Sequence, residues 1–121
     1  MNPFSFYCPT KVVFGPGMIN ELDKQLSNYK FKSFLVVTGS SATKSSAGFL
    51  KLLDILNRNG YSYSVFSNVK PDPTADMVRE AAAQILKNKH DAVIAYGGGS
   101  PIDCAKSAAL MASNNTDIME Y

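Results

Sequence analysis

The sequence predicts an α/β domain, a mostly parallel sheet with helices on both faces. Three observations predict it. Short apolar runs of strand length alternate with longer stretches whose apolar residues recur at helical spacing. The stretches between runs are about ten residues or more, which suits parallel crossovers and not hairpins. One run, Ala92-Val93-Ile94-Ala95-Tyr96, leads directly into Gly97-Gly98-Gly99-Ser100-Pro101, which reads as strand end, glycine turn and helix start. Crossovers in such a sheet are right-handed, and the architecture is Rossmann-like.

The elements follow in order. Lys11 to Phe14 reads as a short β segment, with Phe4 to Tyr7 as its partner. Gly15-Pro16-Gly17 breaks the chain, and Ile19, Leu22 and Leu26 then recur at helical spacing. Phe34 to Thr38 is a compact, Val-rich strand. Gly39 to Gly48 is rich in Ser, Thr and Gly and reads as a loop. Phe49, Leu52, Leu53 and Leu56 mark the inner face of a second helix, which Gly60 closes. Tyr61, Tyr63 and Val65 alternate as a strand does. Pro71 and Pro73 stiffen the next loop, and Thr74 is placed to cap a helix whose apolar stripe is Val78, Ala81, Ala82, Ile85 and Leu86. Asp91 to Tyr96 is the next strand. In the final helix Ser100 is expected at the N-cap, Pro101 at the first helical position and Asp103 in the first turn. Ile102, Ala105, Ala109 and Ala112 are expected to face inward.

Composition narrows the function. A chain of 121 residues that is 45% hydrophobic can bury one core, so a single domain over 1–121 is expected. The net charge is only +2 and the lysines are scattered, which gives nucleic acid or a membrane surface no basic patch to bind. No apolar run has bilayer-crossing length. Met1 to Tyr7 lacks the basic-then-apolar order of a secretory signal, so a cytoplasmic protein is expected. Cys8 and Cys104 have no CxxC spacing, in keeping with a reducing compartment. Cys104 reads as a small core-facing residue.

Ligands of parallel sheets sit beyond the carboxyl ends of the strands. Three loops converge there: the one after Thr38, the one around Pro71 to Thr74, and the glycine turn. Glycines allow close approach to the backbone, and a helix N-terminus offers unpaired N–H groups and partial positive charge. Together they form a site for phosphate or pyrophosphate, with Gly98, Gly99 and Ser100 as its core. The strict dinucleotide fingerprint fails where Ile102 replaces its third glycine, and no Walker A ending is present. A plain strand-to-helix turn is the alternative reading of the same residues.

The segment Gly97-Gly98-Gly99-Ser100-Pro101-Ile102-Asp103-Cys104-Ala105-Lys106 resembles the GGGSxxDxAK motif of the iron-containing (group III) alcohol dehydrogenases. Phe14-Gly15-Pro16-Gly17, Val36-Val37-Thr38-Gly39 and Pro71-Asp72-Pro73-Thr74 agree with that family in order. The resemblance implies the N-terminal, dinucleotide-binding domain of a two-domain, dehydroquinate synthase-like fold. It implies hydride transfer between a nicotinamide cofactor and a small alcohol or aldehyde, in a protein expected to form homo-oligomers. Iron or zinc would be held by an aspartate and three histidines of a later helical domain. His90 is the one histidine here, in the polar connection Lys87-Asn88-Lys89-His90-Asp91, and reads as a solvent-exposed loop residue. No metal ligand or catalytic residue is therefore assigned within the chain, which reads as a fragment that does not turn over alone. A stand-alone nucleotide- or phosphate-binding module is the alternative.

Many members of that family carry an aspartate after the strand-ending Thr, where it binds the adenosine ribose hydroxyls. Here the position is Gly39. Removing a carboxylate removes repulsion toward a 2′-phosphate, and Ser40, Ser41, Thr43 and Lys44 offer hydroxyl donors and a cation. NADP is therefore expected over NAD, against the reading that Gly39 and Ser40 only turn the loop. The resemblance places Asp72 near the cofactor, although a turn aspartate bonding its own backbone is the competing reading. It places Asp103 at the nicotinamide end, whereas helix stabilisation alone would also explain an acid there. Lys106 follows one turn later, with a surface role as the alternative.

Overall fold

A computed structural model describes residues 2–67 and 69–121. Its centre is a three-stranded parallel sheet of β1 (Ser33–Thr38), β2 (Ser62–Phe66) and β3 (Ala92–Tyr96), in the order β2-β1-β3. The register runs from Ser33 opposite Ser62 to Thr38 opposite Tyr96. As the middle strand, β1 is buried on both faces, with Phe34 to Thr38 all at 1% exposure or less. A parallel strand covered on both sides needs a continuous apolar run, and Phe34-Leu35-Val36-Val37 supplies it.

Helices cover both faces. The short α1 (Leu22–Leu26) follows a 3₁₀ turn at Met18–Glu21, and the single-turn α2 (Ser41–Lys44) precedes α3 (Ala47–Arg58). Phe34 and Val36 pack with Phe49, Leu52 and Leu56 of α3, and Ile19, Leu22 and Leu26 close that layer. On the other face Leu35 and Val37 meet α4 (Ala75–Asn88) through Val78, Ala81, Ala82 and Ile85. The same layer holds Cys104, Ala105 and Ala108 of α5 (Gly99–Asn114). Small residues on both α4 and α5 let these helices pack closely against each other. Arg79 on α4 makes a two-pronged ion pair with Asp117 at 2.7 and 2.9 Å, which ties the segment after α5 back onto α4. The Arg79 bonds, with the amide of Met119, hold the Asp117 carboxyl down at about 2.

Several expectations needed correction. Residues 4–7 and 11–14 form no strand, and Phe4, Phe6, Tyr7, Val12 and Phe14 are exposed. A β segment is stable only where its backbone groups enter a ladder, and neither segment has one. The expected loop at 39–48 contains α2 and the start of α3, because Ser46 caps that helix by accepting from the Phe49 amide at 3.2 Å. Gly48 is therefore helical. Thr74 does cap α4, bonding the Met77 amide at 3.3 Å, and Gly60 (φ 74°) follows the C-cap of α3. Leu86 and Ile102 lie at the margins of their stripes, 56% and 36% exposed.

His90 is not a solvent-exposed loop residue. It is half-buried at the amino end of the sheet, with Nδ1 2.7 Å from Ser33 Oγ and Nε2 2.6 Å from Ser64 Oγ. It thus spans β1 and β2 just before β3 begins. Beside it, the Asp91 carboxylate accepts from the amides of Lys32 and Ser33 at 2.8 and 3.1 Å. Burial pushes the His90 imidazole below its ordinary value, and Asp91 opposes this in part. The unfolded chain therefore binds a proton at higher pH than the native one. Stability is fully present above about pH 6.5 and falls as pH drops through the native value. Denaturant unfolding at pH 7.5, 6.5 and 5.5, with ring resonances followed by NMR, should show His90 titrating below 6.5 and stability declining in step. Titration at or above 6.5 would contradict the half-buried, neutral ring.

Candidate functional site

The topology makes a crevice at the carboxyl end of the sheet. The chain leaving β1 enters α2 and α3 on one face, while the chain leaving β3 enters α5 on the other. Neighbouring strands whose connections diverge leave a gap between them, the switch point at which parallel sheets bind ligands. Here the gap is about 340 Å³. Gly39, Ser40 and Thr43 line one side, Val69 and Pro71 a second, and the turn from Gly97 to Pro101 a third. None of these side chains is titratable. The crevice can bind and orient a ligand; it cannot itself move protons.

The ends of β1 and β3 are tied together through Thr38 and Tyr96, the last residues of the two strands. The Thr38 hydroxyl, fully buried, donates to the Tyr96 carbonyl at 2.9 Å. The Tyr96 ring packs edge-on against Phe49, with centroids 5.4 Å apart. Its hydroxyl lies 3.2 Å from Ser46 Oγ.

The turn after Tyr96 shows what its three glycines are for. Gly97 has φ 137°, and a Cβ there would stand 3.0 Å from Pro101 Cγ, so backbone and packing both demand glycine. Gly98 and Gly99 are different. Neither has positive φ, and a Cβ at either would meet nothing within 4 Å. Nothing among the described residues requires glycine at these two positions. They leave the backbone open toward the crevice, as a cradle that a side chain would fill. Gly98 is the N-cap of α5, with no side-chain capping bond. The first helical amides, those of Gly99 and Ser100, have no intrahelical acceptor. Pro101 brings no N–H at all, and Ile102 bonds Gly98 O only at 3.4 Å. An uncapped helix end with an open glycine approach fits the pyrophosphate of a dinucleotide in both charge and room.

The structure brings Gly39, Ser40, Gly98, Gly99 and Ser100 together around this crevice. Ser100 sits at the second helical position and not at the N-cap. The helix begins two residues early because Gly98, extended at φ −86° and ψ −156°, already occupies the capping conformation. Asp103 consequently lies past the first turn, exposed and outside the crevice lining. Asp72 is exposed with φ 56°, a left-handed conformation that aspartate tolerates. Its neighbour Pro71 reaches the crevice and Asp72 does not line it. Lys44 ends α2, exposed, and the Ser41 side chain lies outside what is described. Lys106 is exposed and borders a separate apolar groove along the free edge of β3. Cys104 is fully buried, and burial raises its thiol above the ordinary value. Pro71 reaches the crevice from a loop expected to converge there, whereas Val69, just ahead of that loop, is an apolar side chain that carries no chemical signature in the sequence. Tyr96 read only as the end of a strand.

Among the described residues no three His, Cys, Asp or Glu side chains stand close enough to hold a metal ion. Among them, too, no helix is long and apolar enough to cross a membrane.

The chain resembles known proteins in sequence and fold. A family model described as iron-containing alcohol dehydrogenase matches residues 9–121. Alcohol dehydrogenase 4 of Schizosaccharomyces pombe is 32% identical over 117 residues, which is 97% of this chain and 28% of that protein. The NADPH-dependent butanol dehydrogenase of Clostridium saccharobutylicum is 33% identical over 102 residues, 84% of this chain and 25% of that protein. The solved structure of NADH-dependent butanol dehydrogenase A from Thermotoga maritima superposes with a TM-score of 0.91 at 34% identity, covering 99% of this chain and 30% of that one. The chain thus spans less than a third of the length of these relatives.

Gly97 and Gly99 should differ in what a substitution does to stability. Gly97→Val forces a branched side chain into positive φ and against Pro101, and should cost about 1–3 kcal/mol. Gly99→Val projects into open space and should stay within about 0.5 kcal/mol of wild type. Urea midpoints for the two variants measure this directly; equal losses would show that Gly99 serves packing.

Proposed function

We propose, from the premise that this chain belongs to the iron-containing alcohol dehydrogenase family, that it forms the dinucleotide-binding domain of a metal-dependent alcohol dehydrogenase. The observation that carries this is the uncapped N-terminus of α5 beneath Gly98 and Gly99, two glycines that the fold itself does not need. In this reading the amides of Gly99 and Ser100 hold the pyrophosphate. Gly39, Ser40 and Thr43 receive the adenosine side. Asp103, on the same helix and beyond the crevice, faces the nicotinamide side, and Asp72 flanks the loop that closes the crevice. Bound there, the nicotinamide cofactor supplies hydride transfer to and from a small alcohol or aldehyde. The chain's own contribution is position and electrostatics. The iron or zinc of the enzyme is held outside this chain. The named relatives act on butanol or other alcohols, which supports the substrate class. Two free cysteines, Cys8 exposed and Cys104 buried, fit a cytoplasmic setting.

We favour NADP(H) over NAD(H), with NAD(H) accepted more weakly. Relatives named for each cofactor occur, so the choice rests on Gly39. A Cβ at Gly39 would make ordinary contacts, 3.8 Å to Thr43 Oγ1 and to Val69 O and 3.9 Å to Pro101 Cγ. The position therefore has room for a side chain and carries none, which leaves space and no negative charge beside a 2′-phosphate.

Two measurements test these readings. Fluorescence titration with NADPH should show binding by the wild type and at least about a tenfold loss in Gly99→Val. Retained affinity in the folded variant would make the turn structural only. Gly39→Asp should move the NADP-to-NAD preference toward NAD by ~1–3 kcal/mol, the scale of one partly solvated like-charge pair. Catalytic efficiency of the full-length enzyme with each cofactor reads it, and an unchanged ratio would remove Gly39 from cofactor choice.

A further inference from the structure

The segment that would receive adenosine, residues 39–46, is tied down at both ends, and both ties go to one residue. At its start the Thr38 hydroxyl donates to the Tyr96 carbonyl at 2.9 Å. At its end Ser46 Oγ lies 3.2 Å from the Tyr96 hydroxyl while accepting from the Phe49 amide in the first turn of α3. Between them run tight turns of the segment itself. The Thr43 and Lys44 amides donate to Ser40 O, and the Ser46 amide donates to Thr43 O. Tyr96 is also the residue immediately before Gly97. One side chain and one carbonyl thus connect the two walls of the crevice.

The helix above accommodates this. A Cβ on Gly48 would collide with the Tyr96 hydroxyl. Gly48 lies inside α3, where glycine is the least favourable residue after proline, and its φ is not positive. The backbone does not call for glycine there; the Tyr96 hydroxyl does. A helix that gives up propensity for a hydroxyl points to a use for that hydroxyl beyond filling space, since a phenylalanine ring would also pack on Phe49.

We propose that Tyr96 is a positioning residue for the dinucleotide: its hydroxyl, through Ser46, sets the 39–46 wall against the glycine turn. The proposal rests on the dinucleotide reading above and extends it to a residue outside the crevice lining. Tyr96 touches no ligand in this account. It acts through Ser46, Thr43 and Ser40, and so bears on the adenosine side and the affinity for NADP(H), not on the rate of the chemical step.

The test uses the full-length enzyme with three variants, Tyr96→Phe, Gly48→Ala and the double variant, and Tyr63→Phe as a control. Tyr63 is a fair control because its hydroxyl also sits 3.2 Å from a side chain of α3, that of Asn57, away from the crevice. Tyr96→Phe should raise the Kd and KM for NADPH by about two- to fivefold, the net worth of one long hydrogen bond. The kcat and thermal midpoint should stay near wild type. Gly48→Ala should displace the hydroxyl and reproduce the same increase. In the double variant the hydroxyl collision is gone and the ring Cζ, 3.3 Å from the new Cβ, has only a few tenths of an ångström to give, so the effect should stay close to that of Tyr96→Phe alone. Hydrogen exchange without cofactor should speed up at the Thr43, Lys44 and Ser46 amides in Tyr96→Phe and not in Tyr63→Phe. Unchanged NADPH affinity in Tyr96→Phe, unchanged exchange at those amides, or multiplied effects in the double variant would each overturn the proposal. A wild type that binds no dinucleotide would instead defeat the functional reading, and the exchange result would still decide whether Tyr96 holds the wall.

Discussion

The parallel pairing of β1 with β3 is the constraint on which the rest of the structure depends. It places a strand buried on both faces at the centre, so each face must acquire its own helical layer. It brings Thr38 level with Tyr96, so two chain exits leave the sheet side by side. Because those exits turn to opposite faces, the gap between them cannot be filled by either connection. The crevice is therefore a consequence of strand order and needs no dedicated scaffold. A change that loosened this pairing, such as a charge at Val36 or Val37, would remove core and site together. Each buried side chain there contributes about 1.5–3 kcal/mol, and an unpaired charge would add a desolvation cost.

The two ends of the sheet differ in how their polar groups are satisfied. At the amino end, Asp91 takes the Lys32 and Ser33 amides, and His90 bridges Ser33 and Ser64. That end is closed by side chains from within the chain. At the carboxyl end the equivalent partners are absent from α5, whose N-cap is a glycine and whose third position is a proline. Among the described residues no capping side chain competes for the Gly99 and Ser100 amides. The asymmetry is written in residue types: histidine and aspartate where the fold completes itself, and glycine, serine and proline where it leaves amides for something else.

The sheet and four of the five helices were legible because their signals are local. A continuous apolar run specifies β1, the stripe Val78-Ala81-Ala82-Ile85 specifies α4, and Thr74 and Gly60 act at the ends where capping chemistry puts them. The readings that failed depended on partners distant in sequence. Phe4 to Tyr7 and Lys11 to Phe14 have strand composition, but a strand exists only with a ladder to join. His90 reads as a polar loop residue until Ser33 and Ser64, 57 and 26 positions away, are brought to its two ring nitrogens. The serine-rich stretch after Gly39 reads as a loop because serine is an indifferent helix former; the cap at Ser46 becomes visible only with Tyr96 beside it.

In the candidate site, residue type alone picked out the glycine turn, yet could not say which glycine serves which purpose. Gly97, Gly98 and Gly99 are adjacent and identical in sequence. Space and dihedral angle divide them: Gly97 answers to its own backbone and to Pro101, whereas Gly98 and Gly99 answer to nothing among the described residues. Gly48 makes the complementary case, since a glycine that looks like loop composition is held by a hydroxyl 48 residues further along. A glycine with no internal reason is evidence for an external partner, and a glycine with one is evidence about the fold. The glycines thus mark a two-walled crevice and not only a phosphate-sized turn. One wall is built from backbone amides and the other is set by Tyr96.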